Sequence, residues 1–142
     1  IPVWRKFFGV ETANALITDG KQADLICGNN VYAHVPDIND FTIGLRLALK
    51  SGGTINLEFP HLLQLIDKKQ FDTVYHEHFS YLSLTSVSKV FAKRDARKAA
   101  RTSFSGGWSR TGRNLVWNLS VSRSSSRFVV PRNACPGPSR SR

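Results

Sequence analysis

Residues 23–28 read Ala-Asp-Leu-Ile-Cys-Gly (ADLICG), and residues 54–59 read Thr-Ile-Asn-Leu-Glu-Phe (TINLEF). The first is a near-continuous apolar run after a polar turn, the pattern of a strand buried on both faces, as in a parallel sheet. The second is a strand ended by Pro60. Between them, Ile38, Phe41, Leu45, Ala48 and Leu49 recur at helical spacing over residues 37–50. Asp37 suits the N-cap, and Gly52 and Gly53 suit the stop. A strand, a helix and a second strand in this order predict an α/β domain with a parallel sheet.

The pattern extends outward on both sides. Residues 2–8 alternate apolar and basic side chains (Val3, Trp4, Arg5, Lys6, Phe7), which predicts a short strand. Residues 11–19 predict a helix stopped by Gly20. Residues 61–69 and 85–93 predict two more helices. In such folds ligands sit beyond the carboxyl ends of the strands. The residues to inspect are therefore Gly28, Asn29 and Asn30 after one strand, and Glu58, Phe59, Pro60 and His61 at the end of the other.

The 142 residues carry 20 Lys and Arg against 10 Asp and Glu, a formal net charge of +10. Taken whole, that excess suggests an anionic partner such as nucleic acid. The distribution changes the inference. Residues 1–91 hold 8 basic and 9 acidic side chains, a net of −1, and residues 92–142 hold 12 basic side chains and Asp95, a net of +11. The second stretch also contains 10 Ser, including the run Ser124–Ser126. Cys27 and Cys135 lie 108 positions apart and form neither a disulfide framework nor a metal knuckle, so a reducing, cytoplasmic setting is expected. No apolar run approaches the roughly 20 residues of a membrane span. A chain that begins at Ile1 and contains no Met reads as a fragment or a processed piece.

Two clusters carry chemistry. Residues 29–34 (NNVYAH) place two amides and an imidazole at a strand end, where they can hydrogen-bond a polar ligand. Turn chemistry accounts for the same asparagines, and both readings stand. Residues 75–81 (YHEHFSY) set His76 and His78 opposite Tyr75, Glu77 and Phe79 if the segment is extended. A metal reading lacks a third ligand and the helical spacing of a zinc hydrolase pair. An imidazole beside a carboxylate suits proton abstraction near neutral pH, with the carboxylate holding the ring. A tyrosine hydroxyl suits stabilisation of the oxyanion that follows. A surface turn with satisfied histidines remains the alternative.

Four strings decide between these readings: FFGVETANAL at 7–16, ADLICGNNVYAHVPDINDF at 23–41, LKSGGTINLEFPHLLQLI at 49–66 and QFDTVYHEHFSYLSLTSV at 70–87. Over residues 2–91 the chain resembles the S-adenosylmethionine-dependent sugar C-methyltransferases, enzymes of deoxysugar biosynthesis that act on nucleotide-linked keto-deoxysugars. The resemblance implies an incomplete Rossmann-like class I methyltransferase fold with S-adenosylmethionine as cofactor. It implies that His78 is the base that takes the proton beside the sugar ketone. Tyr75, Glu77 and His34 match other active-site positions, and Asn29 and Asn30 fall near the cofactor. It also implies a sheet order in which the segment at 2–8 has no neighbour within this sequence. The glycine-rich turn after the family's first strand, the acidic residue after its second and its zinc-binding cysteines are absent. The isolated chain is therefore expected neither to bind the cofactor well nor to transfer methyl groups.

Residues 92–142 stop resembling the family and form an expected second region, a basic tail without order. An out-of-frame translation product, a solvated tail and a noncatalytic nucleic-acid-binding arm all fit an Arg- and Ser-rich composition. Residues 115–121 (LVWNLSV) are compatible with a strand.

Overall fold

The computed structural model describes residues 2–93, 102–111 and 114–123. Helix α1 (Val10–Thr18) leads to strand β1 (Ala23–Asn29), helix α2 (Ile38–Ala48) and strand β2 (Leu49–Pro60). The short helix α3 (Leu62–Asp67) and helix α4 (Leu84–Lys93) follow, then strands β3 (Thr102–Thr111) and β4 (Asn114–Arg123). The sheet order is β1-β2-β4-β3. β1 and β2 run parallel, with Ile26 opposite Ile55 and Gly28 opposite Leu57. The α/β class and the parallel pair expected from residues 23–59 are present.

Local chemistry explains these boundaries. The Asp37 carboxylate accepts from Asn39 N at 2.9 Å and Asp40 N at 3.0 Å, capping α2. α1 ends on Gly20 at φ 67°. Gly20 N donates to Ile17 O and Lys21 N to Leu16 O, which closes a Schellman turn. α2 does not run on to Gly52. Leu49 is already extended and buried, and it pairs with Ala23 as the first residue of β2. α1 and α2 approach closely where Gly44 meets Gly9. A Cβ at Gly44 would lie 2.6 Å from the Gly9 carbonyl carbon.

The core lies on one face of the sheet. Ile55, Leu57 and Phe59 alternate inward along β2 and pack with Phe41 and Leu45 of α2 and Val87 and Phe91 of α4. Tyr32 sits at the centre of the aromatic group, with ring centroids 6.0 Å from Phe41, 6.1 Å from Phe59 and 6.3 Å from Phe91. Each such fully buried side chain contributes about 1.5–3 kcal/mol relative to exposure.

Two sequence expectations fail. Residues 2–8 form no strand, and Val3 and Phe7 are exposed. A ladder needs a partner, and no described strand lies beside this segment to accept and donate its backbone hydrogen bonds. β1 is not buried on both faces. It is the sheet edge, Leu25 is 58% exposed and Cys27 is exposed.

The basic stretch contributes strand pairing. β4 runs antiparallel to β2 from Thr54↔Ser122 to Pro60↔Val116, and β3 runs antiparallel to β4. Residues 115–121, read as strand-compatible, fall within β4. Ala92 and Lys93 end α4, and the residues of the stretch beyond these elements lie outside the described ones.

Candidate functional site

The carboxyl ends of β1 and β2 converge on one place. After β1, Asn30 adopts φ 51°, and its N–H donates to Glu58 O at 3.0 Å. That conformation favours Gly, Asn and Asp, so Asn30 performs the turn chemistry that was one of its two readings. Asn29 and Asn30 are both exposed at the strand end. A 3-10 turn over Tyr32–His34 follows. Thr42 Oγ1 donates to Ile38 O at 2.6 Å, so in the 2.7 Å contact between hydroxyls Tyr32 is the donor. Burial pushes the Tyr32 phenol up to about 12, against the smaller opposing effect of the Thr42 hydrogen bond. Tyr32 is a protonated structural post under the site.

After β2, the His61 ring lies between two backbone donors, at the starts of α3 and α4, and as a neutral imidazole it accepts from one of them. Its ring nitrogens lie 3.2 Å from Leu63 N and 3.1 Å from Leu84 N. Burial lowers the His61 pKa below its ordinary value of 6.5. α3 then ends in a second Schellman turn, with Lys69 N donating to Ile66 O and Gln70 N to Leu65 O. Lys69 stands at φ 52°, where α1 uses glycine. A 3-10 turn over Phe71–Thr73 leads into the loop of residues 74–81.

That loop folds back onto the turn after β1. Phe79 N and Ser80 N both donate to Ala33 O, at 2.9 and 3.2 Å. The loop is not extended. His78 N donates to Tyr75 O at 3.1 Å, and this tight turn brings Tyr75 and His78 to the same side. The alternation expected of an extended segment is therefore replaced. The Tyr75 ring lies 4.3 Å from the His78 ring at 31°, His34 lies 4.6 Å away, and Tyr81 meets His78 edge-on at 5.8 Å. His76 points to solvent and is exposed.

The tautomers follow from the acceptors. His78 Nδ1 lies 3.0 Å from Thr73 O, and a carbonyl oxygen only accepts. Nδ1 therefore carries the proton, and in the neutral ring Nε2 holds a lone pair. Nε2 is buried and has no hydrogen-bond partner among the described residues. Such an atom is expensive in a protein interior unless a ligand or a water meets it. His34 Nδ1 likewise donates to a carbonyl, that of Glu77, at 3.0 Å. Glu77 was expected to hold an imidazole through its carboxylate. Its backbone carbonyl does so instead, on His34, while the side chain is exposed.

The structure thus brings together His34, Tyr75, Glu77 and His78 from segments some forty residues apart. It adds Thr73, which lies outside both sequence clusters, and gives Tyr81, the last residue of the second cluster, a place against His78. Beside His34 opens a pocket of about 440 Å³, walled by Lys6, Phe7, Phe8, Asp37, Asp40 and Phe41, among others. That volume is in the range of small-molecule sites. Among the described residues, no three His, Cys, Asp or Glu side chains group as a metal site, and no helix is long and apolar enough to cross a membrane.

Comparison with known proteins finds a sequence relative. No family model matches the chain. The C-methyltransferase NovU of Streptomyces niveus is 37% identical over 90 residues, which cover 63% of this chain and 21% of that protein. The chain therefore spans about a fifth of the length of this relative. A solved structure assigned as an S-adenosylmethionine dependent methyltransferase, from Listeria monocytogenes, superposes with a TM-score of 0.47 at 11% identity, over 73% of this chain and 62% of that one. That overlap is below the level at which a shared fold follows. The sequence match bears out the resemblance read from the motifs: over this stretch the chain is C-methyltransferase-like.

Proposed function

We propose that this chain carries the proton-abstracting segment of an S-adenosylmethionine-dependent C-methyltransferase acting on a nucleotide-linked keto-deoxysugar. The observation that supports the reading best is the buried, unpartnered Nε2 of His78, presented by a ring whose Nδ1–H is already committed to Thr73 O. A base needs a free lone pair within reach of the carbon acid. In this reading His78 Nε2 takes the proton from the carbon beside the ketone, and the negative charge moves to the ketone oxygen as the enolate forms. The half-exposed Tyr75 phenol donates to that oxygen. His34, held by Glu77 O and with its ring 4.6 Å from that of His78, lines the adjoining pocket and in this reading orients the sugar.

The cofactor reading rests on two observations. Asn29 and Asn30 stand exposed at the carboxyl end of β1, and the adjoining pocket combines aromatic rings with Asp37 and Asp40. Rings and carboxylates suit a ligand that carries a sulfonium cation and a neutral adenine ring. When bound, S-adenosylmethionine supplies the electrophilic methyl group. The sequence lacks the glycine-rich turn that holds this cofactor in the resembled family, so the chain alone is proposed to be inactive.

The test is a transplant. Residues 2–91 replace the matching 90-residue stretch of the Streptomyces niveus C-methyltransferase, and methyl transfer to its own substrate is measured. The expected result is a working chimera that loses 10²–10⁴-fold in rate on His78→Gln, the range of general-base contributions. A folded chimera that is active and indifferent to His78→Gln would refute the assignment.

A further inference from the structure

We propose that Thr73 is a positioning residue, whose hydroxyl fixes the carbonyl that sets the tautomer of His78. The carboxylate of Glu77, adjacent to both His76 and His78, is the side chain that chemistry would nominate for that task. In the structure it is exposed and the task falls elsewhere. His78 Nδ1 donates to Thr73 O at 3.0 Å. The direction of that carbonyl is set by a short chain of hydrogen bonds leading back to α3. Thr73 Oγ1 donates to Gln70 O at 2.8 Å, and Thr73 N reaches the same oxygen at 3.3 Å. Gln70 N in turn donates to Leu65 O at 2.9 Å, within the Schellman turn that ends α3. A 3-10 turn of three residues has poor hydrogen-bond geometry of its own. The hydroxyl supplies a second, shorter bond to the oxygen that closes it, and the turn then aims Thr73 O at the imidazole.

The consequence is chemical. With Nδ1 protonated by this arrangement, the buried Nε2 stays an acceptor. Without it, either nitrogen can carry the proton, and the Nε2–H form has no lone pair to offer. Thr73 touches neither pocket nor reacting atoms, so its effect passes wholly through His78. The relevance of that effect rests on His78 being the base, but the tautomer itself is observable without any reaction.

The experiment uses the full chain labelled with ¹⁵N, reading the ring nitrogens of His78 in the neutral ring. The wild type is expected to show Nδ1 protonated and Nε2 bare. Thr73→Val keeps the β-branched shape and removes the hydroxyl. It is expected to shift the tautomer ratio toward Nε2–H by roughly three- to tenfold, the equivalent of one ordinary hydrogen bond. Thr73→Ser restores the ratio, and Glu77→Gln leaves it unchanged. A wild-type ring in the Nε2–H form overturns the proposal with no variant needed. So does a folded Thr73→Val protein with the wild-type ratio, or a Glu77→Gln protein without it. If the valine variant does not fold, Thr73→Ala against Thr73→Ser makes the same comparison. An inactive chimera with the expected tautomer would count against the methyltransferase reading and not against Thr73.

Discussion

Residues 2–9 and residues 74–81 both lack helix and strand, yet they end in opposite conditions. The second segment is fastened at close intervals. Phe79 N and Ser80 N share Ala33 O, His78 N closes on Tyr75 O, and His78 Nδ1 is bonded to Thr73 O. The first precedes α1, with Thr12 Oγ1 donating to Phe7 O and the Phe8 ring set edge-on against Phe41, while Phe7 itself is 96% exposed. Its sequence alternates like a strand, and the loop's sequence does so as well. What separates them is the availability of acceptors. The loop meets a turn with an outward carbonyl at Ala33, whereas residues 2–9 meet no strand edge among the described residues. Order in an irregular segment comes from specific polar attachments, and a ladder cannot form on one side alone.

The strongest way to break this comparison is to remove the post beneath the loop. Tyr32→Ala opens a cavity under Ala33 and is expected to cost about 3–5 kcal/mol in chemical denaturation. Phe7→Ala, in the other segment, is expected to change stability by less than about 0.5 kcal/mol. Equal costs would mean that residues 2–9 are packed as firmly as the loop. Gly44→Ala sharpens the account of how residues 2–9 are held at all. Its new methyl meets the Gly9 backbone, and the expected loss is about 1–3 kcal/mol, read from the same denaturation. Lys69→Gly relieves a left-handed side chain at the turn that feeds the loop, and a gain of roughly 1 kcal/mol is expected.

The mildest effect is a pH dependence. Burial depresses His61 below 6.5, so the unfolded chain binds that proton more readily than the folded one. The His61 contribution is complete above pH 6.5 and is lost as pH falls below it. Denaturation midpoints across pH 7.5 to about 5 check this, and His61→Gln is expected to flatten the slope. A midpoint that rises on acidification contradicts the burial of a neutral ring.

The legible parts of the fold were those whose local chemistry is self-contained. Asp37 announces a cap, Gly20 a helix end, and the run Thr54–Phe59 before Pro60 a strand. Lys69 announces nothing. It adopts the left-handed turn because Leu65 and Ile66 offer carbonyls there, which only the folded chain reveals. The site shows the same division. The residue types His34, Tyr75, Glu77 and His78 were nominated from the sequence. The tight turn that puts Tyr75 over His78 is a contest between turn and strand that periodicity does not decide. The backbone carbonyls of Thr73 and Glu77 carry no sequence signature, because every residue has one. The failed strand at residues 2–8 is the converse case, a sound local pattern that lacks its neighbour.

The central claim is that His78 Nε2 removes a proton from carbon. The most direct measurement is deuterium wash-in from D₂O, at the carbon beside the ketone of a nucleotide-linked keto-deoxysugar, by the chimera carrying residues 2–91 and without added methyl donor. The account predicts wash-in that falls about 10²-fold or more on His78→Gln and survives His76→Gln. Exchange that persists without His78, or that disappears with His76 instead, would contradict it.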